Sequence, residues 1–277
     1  LRVEGGFVVV AVLYLVAAIA VSTLPKDRPA RQAASALSPW RQLWGDIHES
    51  LQFLGDQRRI QSAIIQLVTI ATLILVMAEL APGYAARVLG MSAQNAVLVF
   101  FPAGVGMVLA IWLTGRWGHV LRRVGFAYFG LALAGLSFAG MGWTALGYNT
   151  LMRPILRLYP NAAFSLTTAT MALGFFLGLF LAGVNILAQT LVQQESPPYI
   201  RGRVLAMQFM MSSLVSIPPM LALGHLADTI GIPRAMEIVG WSAVAMALLS
   251  LVVSRLPLRG GHAAVSETAG AKQGDEA

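Results

Sequence analysis

Seven long apolar stretches, separated by shorter polar segments, constrain this chain more than any other feature of its sequence. Each approaches the ~20 residues that an α-helix needs to cross the ~30 Å hydrocarbon core of a bilayer. Because backbone N–H and C=O groups must be paired inside that core, such stretches are expected to be helical. They are Phe7–Leu24, Ile64–Ala81, Ala96–Leu113, Val124–Trp143, Thr168–Val192, Val204–Gly224 and Ala235–Leu256.

The composition supports a lipid environment. Hydrophobic residues make up 57% of the 277 residues and charged residues only 11%, whereas roughly 25% of a soluble domain is charged. Too few polar side chains remain to cover a soluble surface. The sequence therefore predicts an all-α integral membrane protein with about seven transmembrane helices, whose outer surface contacts the lipid bilayer.

Several functional classes lack support. The net charge of +7 comes from basic residues scattered between apolar stretches, which is typical of membrane loops, and no nucleic-acid partner is expected. The chain has no cysteine and four histidines without an H-x-x-x-H pair, so no metal site and no cofactor are expected. It also lacks a GxSxG motif, a P-loop and paired intramembrane carboxylates, so we expect neither an enzyme nor a nucleotide-driven pump.

The basic residues predict an orientation. Fourteen of the 19 Lys and Arg residues lie on one side of the seven predicted spans, and five lie on the other. Because cytoplasmic loops carry the excess of Lys and Arg, the C-terminus is predicted to be cytoplasmic and the N-terminus external. The expected location is a plasma membrane, of the bacterial inner-membrane type.

Four regions are expected along the chain. A first helix over residues 1–24 precedes a cytoplasmic linker over 25–63, a six-helix bundle over 64–258 and a disordered cytoplasmic tail over 259–277. Within the linker, apolar residues recur on one side after Ser38 and Pro39, which predicts an amphipathic helix at the membrane surface. These residues are Trp40, Leu43, Trp44, Ile47, Leu51 and Leu54. A loop over Thr144–Asn161 is predicted on the external side.

Glu79 is the ionisable residue of greatest interest, because charges inside a membrane are costly and often functional. It lies near the external end of the second span, three residues before Pro82. One interpretation is a carboxylate that binds a proton or a cationic substrate. The alternative is a carboxylate at the rim that reaches water or pairs with Arg87. At the last span, Arg234 and Glu237 are expected to form an ion pair.

Uncharged polar residues inside the spans allow two interpretations. Gln66, Asn185, Gln189 and Gln208 either contact a substrate or form hydrogen bonds between neighbouring helices. The four-residue spacing of Asn185 and Gln189 places both amides on one helix face. Small residues at the same spacing indicate close helix packing; the pairs are Gly174 with Gly178, Gly106 with Ala110, and Gly130 with Ala134.

The connections between spans carry three motifs. A short basic turn, Gly115–Gly125, contains Gly115, Gly118, Arg122 and Arg123, with His119 between them. A second segment, Gln194–Val204, ends in Arg201, Gly202 and Arg203. The third is Gly224–Pro233, which contains Leu-Ala-Asp followed by glycine and proline.

These motifs resemble the connections of a major facilitator superfamily transporter. The first resembles the family's cytoplasmic loop motif, although His119 stands where the family often has an acidic residue. The second and third resemble the secretion-effector, drug and siderophore exporter branch. The resemblance covers nearly the whole chain, from helix six to helix twelve of that fold.

The resemblance implies a secondary transporter that exports small amphipathic molecules, such as drugs or siderophores, by proton antiport. Such transporters hold the substrate between two six-helix halves. An odd number of spans beginning outside fits a chain cut before its sixth helix, so we expect the N-terminal helical bundle of the same polypeptide as a partner. The alternative is a non-transporting accessory subunit or scaffold that associates with another helical bundle.

Overall fold

The computed structural model describes residues 3–23, 57–92, 96–123, 125–147, 166–198 and 201–255. The chain divides into two units, Leu1–Trp44 and Gly45–Ala277, and the described residues form one helix in the first unit and six in the second. The helices are α1 (Val3–Ser22), α2 (Arg58–Arg87), α3 (Ala96–Arg123), α4 (Phe126–Gly147), α5 (Leu166–Glu195), α6 (Arg201–Ile230) and α7 (Ile232–Arg255).

The all-helical fold class is confirmed. Among the described residues, six helices are long and apolar enough to cross a membrane, namely α2 to α7. The first helix, α1, contains a shorter apolar stretch at Val10–Ala20. The predicted amphipathic helix that begins at Trp40, the tail after Leu258 and most of the predicted loop Thr144–Asn161 lie outside the described residues.

Most helices extend beyond the apolar stretches that predicted them. The second helix begins at Arg58 rather than Ile64 and ends at Arg87 rather than Ala81. Hydropathy detects only the part of a helix that suits lipid, whereas backbone hydrogen bonding continues through polar residues at each end. The predicted linker accordingly loses its last residues to α2.

Helices α2 and α5 hold the six-helix unit together. The last helix, α7, packs on α4 and α2, while α5 packs on α3, α4 and α2, and α6 packs mainly on α2. The larger hydrophobic cluster includes Leu73, Phe138, Leu177, Leu223 and Met236, one from each of α2, α4, α5, α6 and α7. A second cluster joins the start of α2 to the end of α5 and the start of α6, through Ile60, Leu67, Ala188, Val192 and Val204.

The connections alternate between two ends of this unit. The start of α2 meets the end of α5 through Arg59 and Glu195, and we name this the basic end. The opposite, or far, end holds Arg87 of α2 against Asp228 of α6. Helix α3 is the most exposed of the six, with only 17% of its most apolar segment buried. Its exposed residues between Val97 and Trp112 are apolar, as expected of a surface that faces lipid, whereas Arg116 and His119 are exposed near its end.

The turn between α3 and α4 differs from the prediction. Gly115 and Gly118 lie inside α3, which continues to Arg123 with one non-helical residue at Trp117 (φ −124°, ψ 18°). The turn is made instead at Gly125, whose φ of +66° falls in the left-handed region that residues other than glycine rarely adopt. The basic segment is therefore mostly helical.

Candidate functional site

Glu79 lies on the exposed face of α2. The side chains of Leu75, Glu79, Pro82 and Ala86 are all exposed, and their spacing of four, three and four residues places them on one side of the helix. The stripe is otherwise apolar. Glu79 stands eight residues before the end of a 30-residue helix, about 12 Å along its axis at 1.5 Å per residue.

The charges near Glu79 do not pair with it. The expected alternative partner, Arg87, instead donates to Asp228 of α6, with 3.2 Å between Nη1 and Oδ1. Within the described part of the chain, Glu79 has no hydrogen bond or ion pair, and Arg234 and Glu237 do not form the expected ion pair. Arg87 reaches α6 because Asp228 is close to it in space, whereas Glu79 is two helical turns away along α2.

A cavity of about 750 Å³ opens at the basic end of the six-helix unit. This volume lies in the range of small-molecule sites. Five helices or their ends contribute to its wall, and the polar contributors are Arg59, Ser62 and Gln66 of α2, His119 of α3, Tyr128 of α4, Gln194 and Glu195 of α5, and Ser254 of α7. Gln66 is thus the predicted site residue that lines this cavity.

The polar pairs around this cavity are long. Arg59 Nη1 lies 3.4 Å from Glu195 Oε1, Ser62 Oγ lies 3.3 Å from the Tyr128 hydroxyl, and Gln66 Nε2 donates to Ser250 Oγ over 3.4 Å. Charge-assisted pairs normally measure about 2.7–2.9 Å. Only the Arg59–Glu195 pair is charge-assisted, and Ser62 and Gln66 are buried, with Ser62 Oγ also donating to the Arg59 carbonyl over 2.8 Å. Arg59, whose side chain is 76% exposed, is therefore the most accessible of these groups to water or a polar ligand.

Gln208 is buried inside the bundle rather than on an exposed face. The buried residues of α6 are Val204, Gln208, Ser212, Ser216, Leu223 and Ala227, and three of these six are polar. Ser216 Oγ pairs with Thr72 Oγ1 of α2 at 2.8 Å. Gln208 Oε1 and Ser212 Oγ have no partner within the described part of the chain. The burial of Gln208 fits both interpretations, helix contact and substrate contact, and each stays a prediction.

The two amides of α5 bond to each other. Gln189 Nε2 donates to Asn185 Oδ1 over 3.1 Å, as their four-residue spacing allows, and both side chains are half-buried. The predicted substrate residues are therefore divided among separate places: Glu79 on the exposed stripe, Gln66 at the cavity, Gln208 on the buried face of α6, and this pair on α5.

The comparison with protein families gives one match. A model of the Major Facilitator Superfamily matches residues 2–218, which is most of the chain. The chain belongs to the Major Facilitator Superfamily. A search of curated proteins and a search of solved structures each found no match. Membership of this family supports a general function as a membrane transporter.

The first two family-like connections lie at the basic end of this Major Facilitator Superfamily chain, whereas the third, Gly224–Pro233, contains Asp228 of the far end. Three glycines of the first two connections make no close contact with another helix, because a Cβ added at Gly115, Gly118 or Gly202 would meet nothing within 4 Å outside its own local backbone. Arg201 donates to the Ser196 carbonyl over 3.4 Å, and Arg203 is half-buried. The side chains of Arg122 and Arg123 lie outside the described residues.

The sequence did not single out several residues that the fold brings together. Arg59, Ser62, Tyr128 and Glu195 meet at the cavity although they come from three helices. Their separation along the chain hides the cluster, and no spacing rule could have identified it. Tyr84 is another example, because its buried hydroxyl donates to the Met141 carbonyl over 3.1 Å.

Proposed function

We propose that this chain is part of a secondary active transporter that exports small amphipathic molecules in exchange for protons, with Glu79 as the coupling carboxylate. The observation that supports this most is that Glu79 has no partner within the described part of the chain, on an otherwise apolar stripe. Two of the other three carboxylates with described side chains, Glu195 and Asp228, are in ion pairs. The third, Glu237, is unpaired within the described residues, but it lies near the start of α7.

The surroundings of Glu79 suit a cationic amphipathic molecule. A positive group would pair with the carboxylate, and the apolar body would lie along exposed residues such as Leu75 and Met220. A proton and a cation compete for the same carboxylate, because each neutralises the same charge. Such competition is one physical basis for exchanging one against the other.

We propose that the basic end faces the cytoplasm of a bacterial inner membrane. The support is the excess of Lys and Arg on that side, together with the way the fold gathers the alternate connections at one end. The 750 Å³ cavity would then open to the cytoplasm. We also propose that a second helical bundle, encoded upstream, completes the substrate path.

The reading frame upstream of the Leu1 codon discriminates the exporter from an accessory subunit. Five further apolar stretches in frame support the exporter. A start codon next to Leu1 supports the non-transporting alternative.

Replacing Glu79 by Gln tests the coupling. In inverted membrane vesicles containing the whole gene product, a pH difference of one unit can sustain about a tenfold accumulation per exchanged proton. With ethidium as the probe, we expect Glu79→Gln to reduce this ratio to about one, because the amide cannot exchange a proton. The matched control is Glu237→Gln, a carboxylate on a different helix, which should retain it. Unchanged pH-driven accumulation by Glu79→Gln would reject the coupling role.

A further inference from the structure

Gly224 of α6 is the residue opposite the Glu79 carboxylate. A Cβ built on Gly224 would lie 3.4 Å from Glu79 Oε1, and no other atom would lie within 4 Å of it. That distance is an ordinary van der Waals contact. The α6 side of the carboxylate is therefore open because position 224 has no side chain.

We propose that Gly224 is a positioning residue that keeps the Glu79 carboxylate accessible to protons and cations, an inference that rests on the proposed function. A large side chain at this position would cover the carboxylate. A hydroxyl would have a different effect, because its O–H can donate to the charged form of Glu79 and stabilise it against protonation. Gly224 thus leaves the Glu79 carboxylate open on its α6 side.

Among the described residues, the other charged and titratable groups at the far end come from three helices. Arg87 of α2 and Asp228 of α6 are paired with each other, and Tyr84 of α2 is buried. His225 of α6 is exposed and adjacent to Gly224, and Arg234 and Glu237 belong to α7. The described residues of α3, α4 and α5 contribute no charged side chain at this end. His225, which is next to Gly224 in the sequence, is therefore the neighbouring titratable group for which the experiment needs a control.

The decisive measurement is the protonation of Glu79 itself. Dicyclohexylcarbodiimide adds to protonated carboxyl groups in apolar surroundings, and mass spectrometry of the whole gene product in its membrane quantifies the modified Glu79 peptide at each pH. Glu79→Gln supplies the baseline. The three test variants are Gly224→Ser, Gly224→Ala and Gly224→Leu, and His225→Gln is the control for the neighbouring imidazole.

The three substitutions have distinct expected results. Gly224→Ser should move the labelling midpoint down by about one pH unit, a tenfold change in proton affinity. Gly224→Ala should keep the wild-type midpoint, because the added Cβ makes only an ordinary contact. Gly224→Leu should slow labelling severalfold at every pH, since it covers the carboxylate.

Two results would overturn the proposal. One is a Gly224→Ser midpoint equal to that of Gly224→Ala, and the other is a midpoint shift of similar size in His225→Gln. The labelling reports protonation without transport, so it separates this inference from the proposed function. If Glu79→Gln leaves transport unchanged while Gly224→Ser still shifts labelling, the coupling role fails and the positioning role stands.

Discussion

Replacing Gly178 by Ala should destabilise the contact between α3 and α5. A Cβ at Gly178 would lie 2.0 Å from the Ala103 carbonyl oxygen and 2.7 Å from its carbonyl carbon. Normal contacts begin near 3.4 Å, so the two helices must separate by more than 1 Å. The neighbouring atoms are backbone, and no side-chain rotation can relieve the overlap. The same interface contains Gly106, whose Cβ would lie 2.2 Å from the Phe175 carbonyl oxygen.

The size of the effect follows from two opposing terms. Overpacking a well-packed contact typically costs about 1–3 kcal/mol, whereas replacing Gly by Ala within a helix recovers about 1 kcal/mol of helix propensity. The matched control is Gly115→Ala in α3, where the new Cβ meets nothing within 4 Å. Only the favourable propensity term applies at Gly115. The two variants should therefore differ by about 1–3 kcal/mol.

Thermal unfolding in detergent measures this difference. The six tryptophans provide an intrinsic fluorescence signal, and Trp112 and Trp117 lie on α3 itself. At about 2–4 °C per kcal/mol for a chain of this size, Gly178→Ala should melt several degrees below Gly115→Ala. The double variant Gly106→Ala with Gly178→Ala should cost less than the sum of the two single changes, because one separation of the helices relieves both overlaps. A Gly178→Ala chain that melts at or above Gly115→Ala would refute the close approach.

Two further predictions concern hydrogen bonds. Ser216→Ala should lower the free energy of unfolding by about 1 kcal/mol, because it removes the 2.8 Å bond to Thr72. Ser212→Ala should be neutral or stabilising, since the Ser212 hydroxyl has no partner within the described part of the chain. Equal melting temperatures for the two variants would contradict this. Tyr84→Phe should lower stability by about 1 kcal/mol, because it removes the bonds of the phenol to Met141 and Thr170, each of which keeps another partner. A melting temperature equal to that of the wild type would argue against these bonds.

The sequence predicts where the helices lie because a bilayer demands long apolar segments. It does not predict which of two similar residues makes a contact. Gly174 and Gly178 look equivalent in the sequence, yet a Cβ at Gly174 would meet only a flexible Met141 methyl group at 3.4 Å, while Gly178 faces backbone. The difference depends on how α3 and α4 lie against α5, which no local pattern specifies.

In the candidate site, too, some features could be predicted from the sequence and others depend on the fold. Glu79 could be singled out from the sequence because a carboxylate in an apolar segment is costly. The alternative partner suggested by proximity along the chain, Arg87, was wrong because an exposed arginine pairs with whichever carboxylate the fold brings near, here Asp228. Gly224 begins the third connection motif, but its position opposite Glu79 could not be predicted, since it lies on α6, far from Glu79 along the chain.

The two faces of α2 separate stability from the proposed transport function. The buried face runs along the helix from Ile60 through Leu73 to Tyr84 and packs against neighbouring helices in both hydrophobic clusters. The opposite face, in the second half of the helix, exposes the stripe that contains Glu79. Because this stripe contributes little burial, its residues can exchange partners without weakening the bundle. A carboxylate there can bind and release a proton or cation while the buried face of α2 keeps the helix in place.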